Sequence, residues 1–528
     1  MTPVTETLPA GSRTRRLGAD FAALTSGWMV RVALSVLISV LTARYLRPDE
    51  MGRYAFLVWL AGLLAVVLSL GLPTTLTRYT AEARGGRRPA TAGALLALAV
   101  RWQASFVLGA AALVVLVALA LPGPWRLPLA LTALSVPSQV LYASLAAFLS
   151  GLQVFGAQAL LSVGMLALLA GLFVLVAAVD GGVGGLMLAH AVANGAGLAV
   201  LAWLACREGR RRGALPADAP LSSDARADVI RYARGASALV MLDAVVWQRT
   251  EVAFLQALAP PAEIAFYALA FGVAAQVGRI PYQASVVLFP SFPALVGGGR
   301  VAELAGLHAT AMRYLVLLGA PLAVGLAVTA PGVVGLLYGP AYAPAAVVLV
   351  VLAAGSLPAF AAGASPAVLH ATKRQDRLLR QGVLAAVVNV VLALVLIPLA
   401  GALGAALASV VAQGLGSVLA IRAAVRLAGA RVPAAALARI TAAAAVMGLV
   451  AAVPMLALGG GAGLASAVIV GAVAYPLALR ALRALTAEDL DRTRVLVDRL
   501  PARVRAGGLA VAGFLCRGPL PEPWSPSR

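Results

Sequence analysis

Six ionisable residues fall inside long apolar runs: Arg31, Arg101, Asp243, Arg249, Glu251 and Arg279. An ionisable side chain at mid-span costs roughly 2.5–3.5 kcal/mol on insertion scales, so each is a candidate for function. Arginine offers a planar fork of N–H donors that meets phosphate oxygens two at a time. Arg31, Arg249 and Arg279 therefore suit an anionic ligand in a hydrated cavity, with Gln276, Gln283 and Trp247 as neutral neighbours. Asp243 and Glu251 have the opposite sign and suit a coupling ion, or a gate closed by pairing with Arg31 or Arg279. Helical spacing groups these residues. Trp28, Arg31, Ser35 and Thr42 share one face, Asp243, Trp247 and Glu251 a second, and Gln276, Arg279 and Gln283 a third beside Pro281, which should kink its helix. A second reading keeps them as interhelical glue, paired only with one another. Arg101 lies near a span end, where it can snorkel to the surface. Asn389 and Gln413 read as packing residues, and His190, His308 and His370 stand isolated.

No catalytic constellation accompanies them. The sequence has no zinc-ligand spacing, no phosphate-cradling Walker loop and no GxSxG nucleophile turn. Cys206 and Cys516 both fall in segments read as cytoplasmic, which argues against a disulfide or a metal site. No catalytic residue, metal or cofactor is expected. The net charge of +21 is distributed between apolar runs and forms no single basic face, so it reads as anchoring and excludes nucleic acid as a partner.

The elements that must hold these residues are spanning helices. The chain is 62% hydrophobic and 12% charged, against about 25% charged in a soluble domain. Apolar runs approach or exceed the ~20 residues that cross the hydrocarbon core, and they lack the alternation of a barrel strand. The reading is an all-α polytopic membrane protein with about fourteen transmembrane helices. They lie near 21–44, 54–76, 92–120, 128–150, 156–178, 182–205, 235–257, 264–290, 312–334, 344–370, 379–399, 402–421, 434–456 and 462–484. Basic residues support the count. Even-numbered connections carry clusters such as Arg84–Arg88, Arg207–Arg234 and Lys373–Arg380, whereas odd-numbered ones carry only Arg44, Arg47, Arg53 and Arg126. By the positive-inside rule both termini are cytoplasmic. A polar N-terminus leading into a full-length span is unlike a cleaved signal.

The chain also repeats itself weakly. Pro48, Glu50, Tyr54 and Ala55 match Pro261, Glu263, Tyr267 and Ala268 at an offset of 213 residues. GGVGG at 181–185 resembles GALGA at 401–405 with an offset of 220, and ANGAG at 193–197 resembles AQGLG at 412–416 with an offset of 219, so one gap is needed. Two halves of six spans inserted in the same sense imply two six-helix lobes related by a parallel pseudo-twofold, with two C-terminal helices added. The expected division is a cytoplasmic segment 1–20, an N-lobe 21–205, a cytoplasmic inter-lobe loop 206–234, a C-lobe 235–421, spans thirteen and fourteen at 434–484, and a cytoplasmic tail 485–528. In the tail, Thr486 and Asp489 fit a capping box opening a helix that Pro501 ends.

Four segments then resemble a known family. SGWMVRVALSVLISVLTARYLRPDEMGRYAF (26–56), LGLPTTLTRYTAEARG (70–85), LLYGPAYAPAAVVLVVLAAG (336–355) and NVVLALVLIPLAGALGAALAS (389–409) look, in this order, like bacterial polysaccharide flippases of the Wzx type. That family belongs to the multidrug/oligosaccharidyl-lipid/polysaccharide exporter (MOP) superfamily. The resemblance implies two lobes in a V, a central cavity lined by basic residues, and transfer of a polyprenyl-pyrophosphate-linked oligosaccharide to the outer leaflet of the bacterial inner membrane. It implies membrane lipid and glycan polymerases or glycosyltransferases as partners. The competing readings are a cation-coupled multidrug antiporter, a peptidoglycan-precursor flippase and a polytopic glycan-assembly enzyme. Basic residues outnumber acidic ones inside the spans, which favours an anionic cargo. No odd-numbered connection is long enough to carry a catalytic loop.

Overall fold

The computed structural model describes residues 29–86, 89–121, 123–215, 223–247, 249–429 and 432–485; some side chains within them, chiefly between 238 and 247, fall outside the description. Trp28, Cys516, the capping box at Thr486 and Asp489, and Pro501 lie outside the described residues. Among the described residues every regular element is helical. The chain forms two compact units, residues 1–256 and 257–528.

The first unit contains α1 (29–45), α2 (Pro48–Leu68), α3 (Leu72–Gly85), α4 (Pro89–Ala120), α5 (Gly123–Gly151), α6 (Gly156–Ala178), α7 (Gly182–Arg211), α8 (Ser223–Trp247) and the start of α9 (Glu251–Leu258). Helix α5 is its hub and packs on α2, α3, α4 and α7, while α6 packs on α7. Leu72, Leu76, Leu95, Phe148, Leu149 and Leu201 interlock in its main core.

The second unit contains α10 (Pro261–Leu288), α11 (Ser291–Gly297), α12 (Leu304–Leu337), α13 (Ala345–Gly355), α14 (Leu357–Ala362), α15 (Ser365–Ala371), α16 (Gln375–Ala428), α17 (Ala434–Leu458) and α18 (Gly460–Ala481). Its hub is α12, which packs on α10, α13, α14, α17 and α18. Ile440, Ala443, Ala444 and Leu479 of the last two helices bury against Val316, Ala320 and Phe360. The Tyr475 hydroxyl donates to the Leu317 carbonyl at 2.8 Å, closing that contact with a polar bond.

Burial follows the logic of a lipid-solvated bundle. Alanine is the commonest buried hydrophobic residue, because small side chains let helix backbones approach where the hydrophobic effect no longer drives association. Large apolar residues face outwards: Leu456 is 86% exposed, Leu399 78% and Leu160 76%. In water each would forfeit about 1.5–3 kcal/mol of burial, so hydrocarbon is the fitting solvent for these faces.

Eleven helices among the described residues are long and apolar enough to cross a membrane, against the fourteen expected. The difference has local causes. Only part of the expected first span is described, as α1. The expected seventh is shared between α8 and α9, with Arg249 in the left-handed region at φ +56°. The expected eleventh and twelfth are one 54-residue element, α16, interrupted at Gly401 with φ +52° and ψ −127°. A straight helix of that length would run about 80 Å, more than twice the hydrocarbon thickness, so this break is what lets both halves be spans. Prolines mark further breaks. Pro73, Pro358 and Pro366 each sit in the first turn of α3, α14 and α15, where a missing N–H costs nothing.

Broken spans expose carbonyls that must be satisfied internally. Between α2 and α3, Leu70 (φ +51°) and Gly71 (φ +62°) interrupt the ladder. The fully buried Gln103 answers this: its amide donates to the Ser69 carbonyl at 3.1 Å and its carbonyl accepts from Ser144 at 2.7 Å.

Candidate functional site

The predicted site residues divide between the two units. On α1, exposed Arg31 donates a long hydrogen bond of 3.4 Å to the Ser162 hydroxyl of α6, and its charge also acts on Tyr142 of α5. The rest of the α1 stripe is spent locally. Ser35 donates to the Arg31 carbonyl at 2.8 Å and Thr42 to the Ile38 carbonyl at 2.7 Å. Back-bonding of this kind leaves no hydroxyl proton for a ligand.

Half-buried Arg249 and buried Glu251 lie at the break between α8 and α9, where Glu251 opens α9. The side chains of Asp243 and Trp247 lie outside the described residues. The one-face reading of Asp243, Trp247 and Glu251 assumed an unbroken helix. With α8 ending at Trp247 and Arg249 at positive φ, that register does not carry across. What the sequence presented as a stripe is instead a helix interruption holding an arginine and a carboxylate. Interruptions at membrane depth put polar backbone and ionisable side chains in one place.

In the second unit, Gln276, Arg279 and Gln283 follow one another along α10 at helical spacing. Gln276 is half-buried, whereas Arg279 and Gln283 are exposed. Pro281 lies between the last two and leaves the Val277 carbonyl without its helical donor. The chemistry on offer is a short polar strip with one fixed positive charge. Arg31 and Arg279 form no ion pair among the described residues, whose salt bridges join only sequence neighbours such as Arg300 and Glu303.

Three polar anchors escaped the sequence reading. At the end of α1 the Tyr45 hydroxyl donates to Asp180 at 3.0 Å and accepts the Gly182 amide at 2.8 Å. Deeper in the same unit the Tyr54 hydroxyl and the His190 ring are bonded at 2.8 Å, with Phe173 edge-on to both rings. In the second unit Glu263 accepts the Ala402 amide at 2.7 Å. The weak repeat was the available signal. Glu50 and Glu263 match, yet Glu50 caps its own helix through the Arg47 amide at 3.1 Å while Glu263 reaches a distant chain break. Two arginines read as solvated anchors also have fixed partners: Arg84 and Arg212 both donate to the Leu152 carbonyl just beyond α5.

A family model described as polysaccharide biosynthesis protein matches residues 17–296, more than half of the chain. The chain belongs to the polysaccharide biosynthesis protein family. Two of the four segments, 26–56 and 70–85, lie within that match, and the resemblance holds at the level of the family. No curated protein sequence matches the chain. Among solved structures, the inward-closed lipid II flippase MurJ is similar with a TM-score of 0.69 and 12% identity, covering 86% of this chain and 97% of that one. An inward-facing multidrug resistance MATE transporter of the MOP superfamily gives 0.59 at 12% identity, covering 78% and 98%. A MOP superfamily transporter from Pyrococcus furiosus, whose binding pocket is described as of reverse polarity, gives 0.54 at 13% identity, covering 77% and 94%. The fold is that of these transporters, and with eleven helices among the described residues long and apolar enough to cross a membrane, this member of the family is a multi-pass membrane protein.

Proposed function

We propose that this chain is a membrane transporter of the MOP superfamily that flips a lipid-linked oligosaccharide, carried on a polyprenyl pyrophosphate, from the cytoplasmic to the outer leaflet of a bacterial inner membrane. Both termini are cytoplasmic, and the two six-helix lobes, 21–205 and 235–421, alternate in access. The observation that carries this reading is the sign of the charge within spans. Arg31, Arg249 and Arg279 outnumber Asp243 and Glu251, and a positive lining offsets the cost of drawing a pyrophosphate out of water. The family match supports a glycan cargo, and the likeness in fold to a lipid II flippase supports a lipid-borne one. Gln276, Gln283 and Trp247 contribute neutral contacts, and Asp243 or Glu251 serves as the coupling or gating carboxylate. A glycan polymerase or glycosyltransferases supply and consume the cargo.

A strain deleted for this chain should accumulate lipid-linked oligosaccharide on the cytoplasmic side. Normal glycan export with altered drug sensitivity would instead support the antiporter reading. Normal glycan export with accumulation of peptidoglycan precursor would support the precursor-flippase reading.

A further inference from the structure

We propose that the groove between α3 and α8 is a binding site for the phosphate of an anionic lipid headgroup, separate from the residues assigned to transport. The groove has a volume of about 640 Å³ and belongs wholly to the first unit. Its α3 wall carries Thr74, Arg78 and Tyr79, and its α8 wall Asp228, Arg231 and Tyr232.

The local sequence explains why it is open. At Gly71 the helices touch so closely that a Cβ would lie 2.6 Å from the Ser237 amide nitrogen. From that contact they diverge, and nothing lies within 4 Å of where a Cβ on Gly235 would be. Each wall offers the dipeptide Arg–Tyr, at 78–79 and 231–232. The two tyrosine rings meet edge to face at 5.8 Å, and the Arg78 guanidinium carbon lies 4.5 Å from the Tyr232 ring centre and 5.5 Å from that of Tyr79.

Charge and geometry decide the ligand. Asp228 is paired with Arg231 at 3.3 Å, and no described carboxylate forms a salt bridge with Arg78. Among the lining residues Arg78 and Arg231 outnumber Asp228, so the lining keeps a net positive charge centred on Arg78, on which the Glu82 carboxylate one turn along α3 also acts. Ring contacts use the faces of a guanidinium and leave its in-plane N–H donors for an acceptor. The Tyr232 hydroxyl also interacts with Arg78 and takes only part of that fork. Arg84 and Arg212 differ in that each is tied to the protein backbone by an N–H given to the Leu152 carbonyl, and Arg212 is also paired with Glu208. A phosphate matches the fork of Arg78 bidentately. Ala236 and Val240 extend the lining with apolar surface, so the ligand is amphiphilic rather than a bare anion. The volume lies in the range of about 300–1,000 Å³ typical of small-molecule sites. The proposal holds whichever cargo the transporter moves.

The test uses the full chain in nanodiscs of phosphatidylcholine, titrated with short-chain phosphatidylglycerol, with short-chain phosphatidylcholine and with inorganic pyrophosphate, and read by native mass spectrometry. Phosphatidylglycerol should bind selectively, and Arg78→Ala should weaken it about tenfold, as expected for a charge-assisted hydrogen bond. Tyr232→Ala should weaken it less, and Arg78→Lys should fall between. Arg300→Ala removes one positive charge elsewhere and should leave binding unchanged. Arg78-dependent binding of pyrophosphate without lipid preference would retain the phosphate site but overturn the lipid as its source. Phosphatidylglycerol binding unaffected in Arg78→Lys and Tyr232→Ala, or absent altogether, would overturn the site even if Arg78→Ala fails to fold.

Discussion

The Glu263 carboxylate accepts the Ala402 amide at 2.7 Å, tying the first turn of α10 to the point where α16 reverses. The first unit has a counterpart, since the Gly182 amide at the start of α7 donates to Tyr45 at 2.8 Å. Gly182 (φ +58°) and Gly401 (φ +52°) are the positive-φ glycines of the two turns and stand 219 positions apart, the first turn also holding Asp180 at φ +50°. Gly185 and Gly404, at the same spacing, each face the preceding helix segment so closely that a Cβ would fall 2.7 Å from a Val176 methyl and 2.1 Å from the Leu396 carbonyl. The glycine motifs therefore align at 219, the offset of the ANGAG and AQGLG pair, and the one-residue gap between those motifs disappears.

Gly401→Ala should destabilise more than Gly182→Ala. Both force an L side chain into the left-handed region, at roughly 1 kcal/mol. Only at Gly401 does the new Cβ also meet a neighbour, 2.4 Å from the Glu263 carboxylate, whereas Gly182 has open space. The Gly401 variant should lose about 2–4 kcal/mol in total, since overpacking adds about 1–3 kcal/mol. Thermal unfolding in detergent, with Glu263→Ala added to relieve the clash, separates the two contributions.

Tyr45→Phe should cost about 1–3 kcal/mol, because it leaves the Gly182 amide and Asp180 without their hydroxyl partner. Glu50→Gln should cost less than about 1 kcal/mol, since a helix start exposed to solvent recovers its bond from water. A denaturation series on both variants checks the order. Equal losses would mean that Tyr45 does not anchor the start of α7.

Gln103→Leu should destabilise the first unit by about 1–3 kcal/mol by orphaning the Ser69 carbonyl and the Ser144 hydroxyl. Adding Ser144→Ala should cost little more, because the second change removes a group already without its partner. Additive losses in the double-mutant cycle would contradict the shared network.

Arg279→Ala should abolish glycan export while leaving membrane insertion intact. Arg279 is exposed and forms no ion pair among the described residues, so its removal frees no buried counter-charge. Arg279→Lys should retain part of the activity, having charge without the planar fork. Surface glycan measured against the amount of protein in the membrane is the readout, and full export in Arg279→Ala would remove this residue from the path.

Hydropathy alone determined that the chain is a helical membrane protein, because a run of apolar residues has one stable answer in hydrocarbon: a helix that satisfies its own backbone. Glycine and proline patterns were legible as well, and the family-like segments at 26–56 and 70–85 anticipated the match that covers them. The breaks inside spans were not. Arg249 at positive φ and the merged α16 depend on what surrounds the interrupted backbone, and a periodicity argument assumes that no interruption exists. The same holds for the partners of Tyr45, Gln103 and Glu263, which lie 34 to 139 residues away in sequence. Local sequence decides whether a helix forms. Which distant donor answers a freed carbonyl, or which carboxylate meets a freed amide, is decided only once the helices pack, since the bond depends on a separation of about 3 Å that no sequence spacing encodes.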